Sequence, residues 1–248
     1  MTAPGCLDPA TCPVPAPDDV DLRRLRLARL PEGATLHTSY VRGHWPALFN
    51  PSGIGNARFS PLVVDGAVIP TMYAAATQTV ALLETSFHDV HETGARIISE
   101  SLHLARRGII ALTAPAPLSL IDLTDEGLDR VGLVRAQLVT TTPQHYACTR
   151  QWAVSMHARR IGPVVPVGIL WQSRVAELAR ADSLLLGDLL ALASDVCVLF
   201  GDRVSPDPII WQSGDPHYDD LSSGDGRLLA EQIAEQLGAV IVPGSSNP

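Results

Sequence analysis

The chain has 248 residues, 46% of them hydrophobic, enough to bury one substantial core, so a single domain with embellishments is the expectation. Its formal net charge of -8 and the lack of any basic run exclude a nucleic-acid groove, and no uncharged stretch reaches the ~18 residues of a membrane span. All 18 basic residues are arginine, so an anion site here is built from guanidinium or from backbone.

Residues 1–17 carry five prolines and little apolar material, which predicts an extended, mobile leader. Asp19 is placed to cap a short helix running to Leu30, with Leu22, Leu25 and Leu27 among four arginines and Pro31 as its stop. Thr35 to Val41 reads as a strand. Arg42 to Ala57, rich in Gly, Pro and Asn and anchored by Trp45 and Phe49, reads as a loop long enough to be functional. Asp65-Gly66 between Leu62-Val63-Val64 and Val68-Ile69 signals a two-residue hairpin, whose second arm continues towards Tyr73.

Thr77 is the expected N-cap of a helix reaching about His91. Val80, Leu83, Glu84, Phe87 and His91 share one stripe of it, which sets Glu84 on the apolar face. A carboxylate there costs several kcal/mol unless it is partnered or faces a wet cleft, and His88 is spaced to reach it.

Ile109 to Thr113 and Leu118 to Asp122 read as strands, and Asp122 to Glu126 as a helix start. A longer helix is expected from Pro143, capped by Thr142, to Arg160. Val164 to Trp171 and Val196 to Phe200 are strand candidates with a short buried helix, Leu184 to Leu192, between them. Ile209 to Trp211 adds a strand, Arg227 to Leu237 an amphipathic helix, and Ala239 to Val242 a last short strand. Strands and helices mix without a βαβ rhythm, so the expected class is α+β.

The four cysteines, Cys6, Cys12, Cys148 and Cys197, include no pair at zinc-ribbon spacing, and no His-Glu-x-x-His pattern exists. Neither a disulfide framework nor a metal is expected. With no leader of secretory type, the expected location is cytoplasmic.

Arg58-Phe59, Tyr73-Ala74-Ala75 and Ala81-Leu82-Leu83-Glu84, with His88 four residues on, form an ordered set that resembles the RES-domain family, the toxins of RES–Xre toxin–antitoxin pairs. The resemblance extends through Asp122-Leu123-Thr124, the Tyr146 to His157 helix and Gly168 to Arg174, over roughly residues 34 to 203. It implies an ADP-ribosyltransferase-like core of mixed and antiparallel sheets. The implied organisation is a leader and short helix at 1–30, the RES domain at 31–205, and a packed C-terminal extension at 206–248.

The resemblance further implies NAD as substrate, inorganic phosphate as a co-substrate, no metal, and an Xre-type helix-turn-helix antitoxin as partner; self-association stays open. It assigns catalysis to Arg58, Tyr73 and Glu84, and ligand contacts to Thr38, Arg58, Tyr73, His88, Thr149 and Ser173. Arg58 suits a pyrophosphate or phosphate clamp, Tyr73 a ring or ribose hydroxyl, and Glu84 the nicotinamide ribose, where cleavage develops positive charge. Two features depart from the family. Thr38 stands where the family has an arginine, so Arg42 or another side chain compensates, this branch is altered or weak in activity, or an introduced substitution has disarmed the toxin. Thr149 and Ser173 both fall near the family serine.

Taken alone, the residues allow plainer roles: Arg58 in a surface ion pair with Asp65 or Asp89, Tyr73 in the core, and Glu84 with His88 as a structural helix pair. Three functions follow: NAD degradation by phosphorolysis or hydrolysis, ADP-ribosylation of a protein, and a silent module kept for partner binding.

Overall fold

The computed structural model of the chain describes residues 5–43, 49–88, 90, 96–176, 194–205 and 211–244. An eight-stranded mixed sheet dominates it, in the order β1-β8-β9-β10-β5-β2-β7-β11. These strands are β1 (Leu27–Leu30), β2 (Thr35–Val41), β5 (Thr71–Ala75), β7 (Arg107–Thr113), β8 (Leu118–Asp122), β9 (Gly168–Gln172), β10 (Asp195–Phe200) and β11 (Gln212–Tyr218). Only β8 and β9 run parallel; the other neighbours are antiparallel. With helices mixed among them, the class is α+β, as expected.

Two smaller pairings complete the strands. β3 (Leu62–Val64) and β4 (Ala67–Ile69) form the predicted hairpin. Its two turn residues, Asp65 and Gly66, have φ of 50° and 80°, the conformation that a two-residue turn needs to match strand twist. β12 (Val240–Val242) pairs in parallel with β6 (Ile97–Ser99), a strand the sequence pattern did not signal.

The main sheet is not uniformly joined. β2 meets β7 over seven residue pairs, whereas β2 meets β5 only at His37 and Ala75. The sheet therefore parts along the β2–β5 seam, leaving room for a cleft. Helix α1 (Gln78–Glu84) follows β5 directly and buries Val80, Ala81, Leu82 and Leu83.

Several expected elements differ. The helix from Asp19 to Leu30 is instead two short 3-10 turns, Pro17–Asp19 and Leu22–Arg24, followed by β1. The Asp21 side chain accepts the Arg23 amide, a local bond that competes with helix. The Arg-Leu alternation beyond it has the period of a strand, and β1 pairs with β8. The leader is not free: the Leu7 amide donates to the Gln144 carbonyl, and the Trp152 indole N–H donates to the Pro15 carbonyl at 2.8 Å.

Helix α1 stops at Glu84, short of His91, which lies outside the described residues. The Thr85 hydroxyl bonds back to the Ala81 carbonyl at 2.6 Å while its own backbone leaves the helical region. The helix expected from Pro143 is a 3-10 turn followed by α4 (Tyr146–His157). Between α1 and α4 lie the short helices α2 (Asp125–Arg130) and α3 (Arg135–Leu138). β9 begins at Gly168 rather than Val164, after Pro166, which has no amide for a ladder.

The Leu184–Leu192 helix, Trp45, and Ile209 and Ile210 of the predicted strand fall outside the described residues. Trp211 is buried with its indole N–H on the Ser205 carbonyl, and β11 starts one residue later. The C-terminal helix, α5, runs Gly224–Gln236. No helix among the described residues is long and apolar enough to cross a membrane.

Thr77 caps α1 through its hydroxyl, which accepts the Val80 amide at 3.2 Å. Thr77→Ala should cost about 1 kcal/mol in urea unfolding, and about 2–4 °C in Tm.

Candidate active site

The β2–β5 seam, α1 and the start of α4 enclose a cavity of about 420 Å³. Thr38, Arg58, Tyr73, Glu84 and His88 all line it, so five of the seven expected site residues converge. The remaining two, Thr149 and Ser173, are fully buried behind it, each bonded to a lining residue.

Arg58 is fixed from several sides. Its carbonyl accepts the Thr149 hydroxyl at 2.5 Å, and the next amide, Phe59 N–H, donates to the Tyr73 phenol at 3.0 Å. Its Nη1 donates to the Thr141 carbonyl and hydroxyl at 3.0 and 2.9 Å. The guanidinium also sits over the Tyr146 ring, 5.1 Å from its centroid. Arg58 is only 8% exposed and pairs with no carboxylate among the described residues, which removes the surface ion pair with Asp65; Asp89 is outside those residues. Burying an uncompensated cation costs several kcal/mol, and neutral hydrogen bonds with a cation–π contact recover only part.

Tyr73, on β5, accepts the Phe59 amide and so keeps its own proton to donate. Burial pushes the phenol well above its ordinary value, against the smaller opposing effects of the Phe59 amide and the Arg58 charge. Its ring packs edge-on against Trp171, with centroids 5.8 Å apart. Trp171, read from sequence as packing, is indeed buried and also lines the cavity.

Glu84 ends α1 with its carboxylate at the cavity. The Ser173 hydroxyl donates to Oε1 at 2.5 Å, a charge-assisted bond, while Ser173 Oγ itself accepts the Ala176 amide. Ser173 thus orients the carboxylate from outside the cavity. The pairing of Glu84 with His88 along a helix does not occur, because α1 has already ended; His88 Nδ1 lies 3.0 Å from the Thr85 carbonyl instead. His88 still reaches the cavity wall.

Thr38 is 3% exposed and donates to the Tyr73 carbonyl at 2.7 Å, tying β2 to β5 where ladder bonds are scarce. Arg42 does not compensate for its lack of charge, since Arg42 pairs with Asp220 at 2.6 Å. Arg107, which sequence reasoning missed, does line the cavity from β7, the strand beside β2. Burial lowers its guanidinium from the ordinary value, and no described residue accepts a hydrogen bond from it. Arg174 lines the cavity as well. Tyr146 and Thr141 were also missed, because their role is to hold Arg58 across 83 or more residues of chain. The Ser39 hydroxyl, on the cavity wall, is buried without a partner among the described residues. Among the described residues, the lining holds three arginines, Arg58, Arg107 and Arg174, and one carboxylate, Glu84.

The RES domain family model matches residues 26–206. The chain belongs to the RES domain family. Comparison with curated proteins gives no match. Among solved structures, a chain of the M. tuberculosis MbcT–MbcA toxin–antitoxin complex is similar at 15% identity and a TM-score of 0.45, covering 77% of this chain and 85% of that one. At that distance the likeness carries neither substrate nor partner across.

The phenol's upward shift has a testable sign. Stability linked to Tyr73 is fully present below the unfolded value of about 10 and falls as pH rises above it, because only the unfolded chain ionises readily. Tyr73→Phe should flatten the loss of stability above pH ~10, read by urea unfolding across pH, and leave the profile below it unchanged.

Proposed function

We propose that the protein cleaves the nicotinamide–ribose bond of NAD and acts as the toxin of a toxin–antitoxin pair. The observation that carries this reading is the convergence of Arg58, Tyr73 and Glu84 on one cavity, in a chain of the RES family. The cavity's volume is within the range of about 300–1,000 Å³ common for small-molecule sites.

Arg58 and Arg107 hold the pyrophosphate, with the fork of Arg58 making parallel charge-assisted bonds. Tyr73 donates to a ribose hydroxyl or packs on a ring. Glu84, held by Ser173, faces the nicotinamide ribose. As the C1′–N bond breaks, its electron pair passes to the pyridinium, which leaves as neutral nicotinamide, and positive charge spreads over C1′ and the ring oxygen. A fixed carboxylate beside that charge lowers the barrier. A phosphate oxygen then bonds to C1′, giving phosphorolysis; with water instead, a proton is released and the outcome is hydrolysis. The arginines of the lining favour phosphate as the acceptor.

Arg107 supports an active enzyme rather than a silent module, because it returns to the cavity the positive charge that Thr38 lacks. An Xre-type helix-turn-helix antitoxin is the proposed inhibitor, covering the cleft. Growth arrest on expression, relieved by the neighbouring reading frame, tests that pairing.

Purified protein incubated with NAD should release nicotinamide, faster with inorganic phosphate present. Glu84→Gln should lower kcat by about a hundredfold or more. Arg107→Ala should weaken NAD binding by about tenfold while wild-type folding is kept, as judged by Tm. No release at any enzyme concentration overturns the reading, and label from NAD retained on a protein would redirect it to ADP-ribosyl transfer.

A further inference from the structure

We propose that Cys6, Cys12, His145 and Cys148 form a site for a soft divalent metal, with zinc the ion its donors suit, clamping the N-terminal segment onto the start of α4.

The donors come from two parts of the chain, Cys6 and Cys12 in one and His145 and Cys148 in the other, so no spacing motif announces them. Cys6 Sγ lies 3.6 Å from His145 Nδ1, and Cys12 Sγ lies 3.5 Å from Cys148 Sγ. The ligand atoms of Cys6, Cys12 and His145 are all within 4.8 Å of one another. A tetrahedral zinc ion with bonds of about 2.3 Å to sulfur and about 2.0 Å to nitrogen has edges of about 3.8 Å between sulfurs and about 3.5 Å between sulfur and nitrogen. The two close separations already have that length. Cys148 stands outside the 4.8 Å group and joins it through Cys12, so its thiol moves in as the ion draws its ligands together.

Two alternative readings fit less of this arrangement. A disulfide requires sulfurs about 2.05 Å apart and would use Cys12 and Cys148 while leaving Cys6 against the imidazole nitrogen for no reason. Simple packing accounts for a buried thiol such as Cys148, but not for two cysteines of the N-terminal segment gathered with a histidine within 4.8 Å, one of them against a third thiol. The backbone is already organised for coordination. His145 and Cys148 stand three apart at the start of α4, hence on one face. The bonds from the Leu7 amide to Gln144 and from Trp152 to Pro15 fix the segment carrying Cys6 and Cys12.

The site also has a place in the architecture. Tyr146 and Thr149, interleaved with His145 and Cys148, are the two α4 residues that hold Arg58. A bound ion would stiffen the helix end on which the cavity's arginine rests, without lining the cavity itself.

The test uses the full-length protein purified under reducing conditions. Elemental analysis should find about one zinc per chain, and exchange with cobalt should give the thiolate-to-cobalt charge transfer and intense visible bands of a tetrahedral centre. Cys12→Ser should weaken cobalt binding by at least about tenfold and reduce the charge-transfer band. Cys197→Ser should change neither, since that thiol is buried in β10 and burial pushes it up to about 12. If Cys12→Ser does not fold, Cys6→Ser, at a partly exposed position, provides the same comparison. Wild-type protein that binds no zinc or cobalt, a cobalt spectrum without thiolate charge transfer, or a Cys12–Cys148 disulfide in freshly reduced protein would overturn the proposal.

Discussion

A buried guanidinium with no carboxylate partner among the described residues is the constraint on which the site depends. Arg58 is held by the Thr141 carbonyl and hydroxyl, by the Tyr146 ring and through its own backbone by Thr149 and Tyr73. Those contacts fix its direction, and none of them brings a negative charge to it. Fixed donors aimed at a place where negative charge will sit need no reorganisation when the ligand arrives. The cost of keeping Arg58 this way is borne by the core behind it, where Phe59, Trp152 and Trp171 are almost wholly buried.

The fold creates that arrangement through an interruption. β2 and β5 share one residue pair, and the seam between them is closed partly by a side chain, Thr38, donating to the Tyr73 carbonyl. Had the ladder been continuous, the space lined by Thr38, Tyr73 and Glu84 would have been filled by strand packing. On the far side of the seam, β7 brings Arg107 to the same space. Thr38 and Arg107 thus face one space from neighbouring strands. The carboxylate is handled in parallel: Ser173 orients Glu84 as Thr149 anchors Arg58, each from outside the cavity.

Much of this was legible in the amino-acid order. The hairpin at Asp65-Gly66, the cap at Thr77 and strands such as Thr35–Val41 and Leu118–Asp122 follow from local turn chemistry and β-branched runs, and the structure has them where they were expected. Arg58, Tyr73 and Glu84 were recognisable as a set through their resemblance to the RES-domain family, since each residue alone also allowed a packing or structural role. Length was harder than existence: the Thr85 back-bond ended α1 before the apolar stripe did. The helix expected before Leu30 failed because a two-residue alternation of Arg and Leu was read at helical period. What the order of residues did not reveal is whatever is assembled across the fold. Arg107 looks like any strand-end arginine until β7 lies beside β2, and three cysteines with a histidine look scattered until the leader lies on α4.

The most direct test of the cavity as an arginine-built anion site is a calorimetric titration of the full-length protein with ADP-ribose, compared with Arg58→Lys at matched salt. A lysine keeps the charge but loses the planar fork, so the account predicts one binding site in the wild type and an affinity at least about tenfold weaker in the variant. Equal affinities in the two proteins, or no binding by the wild type, would contradict it.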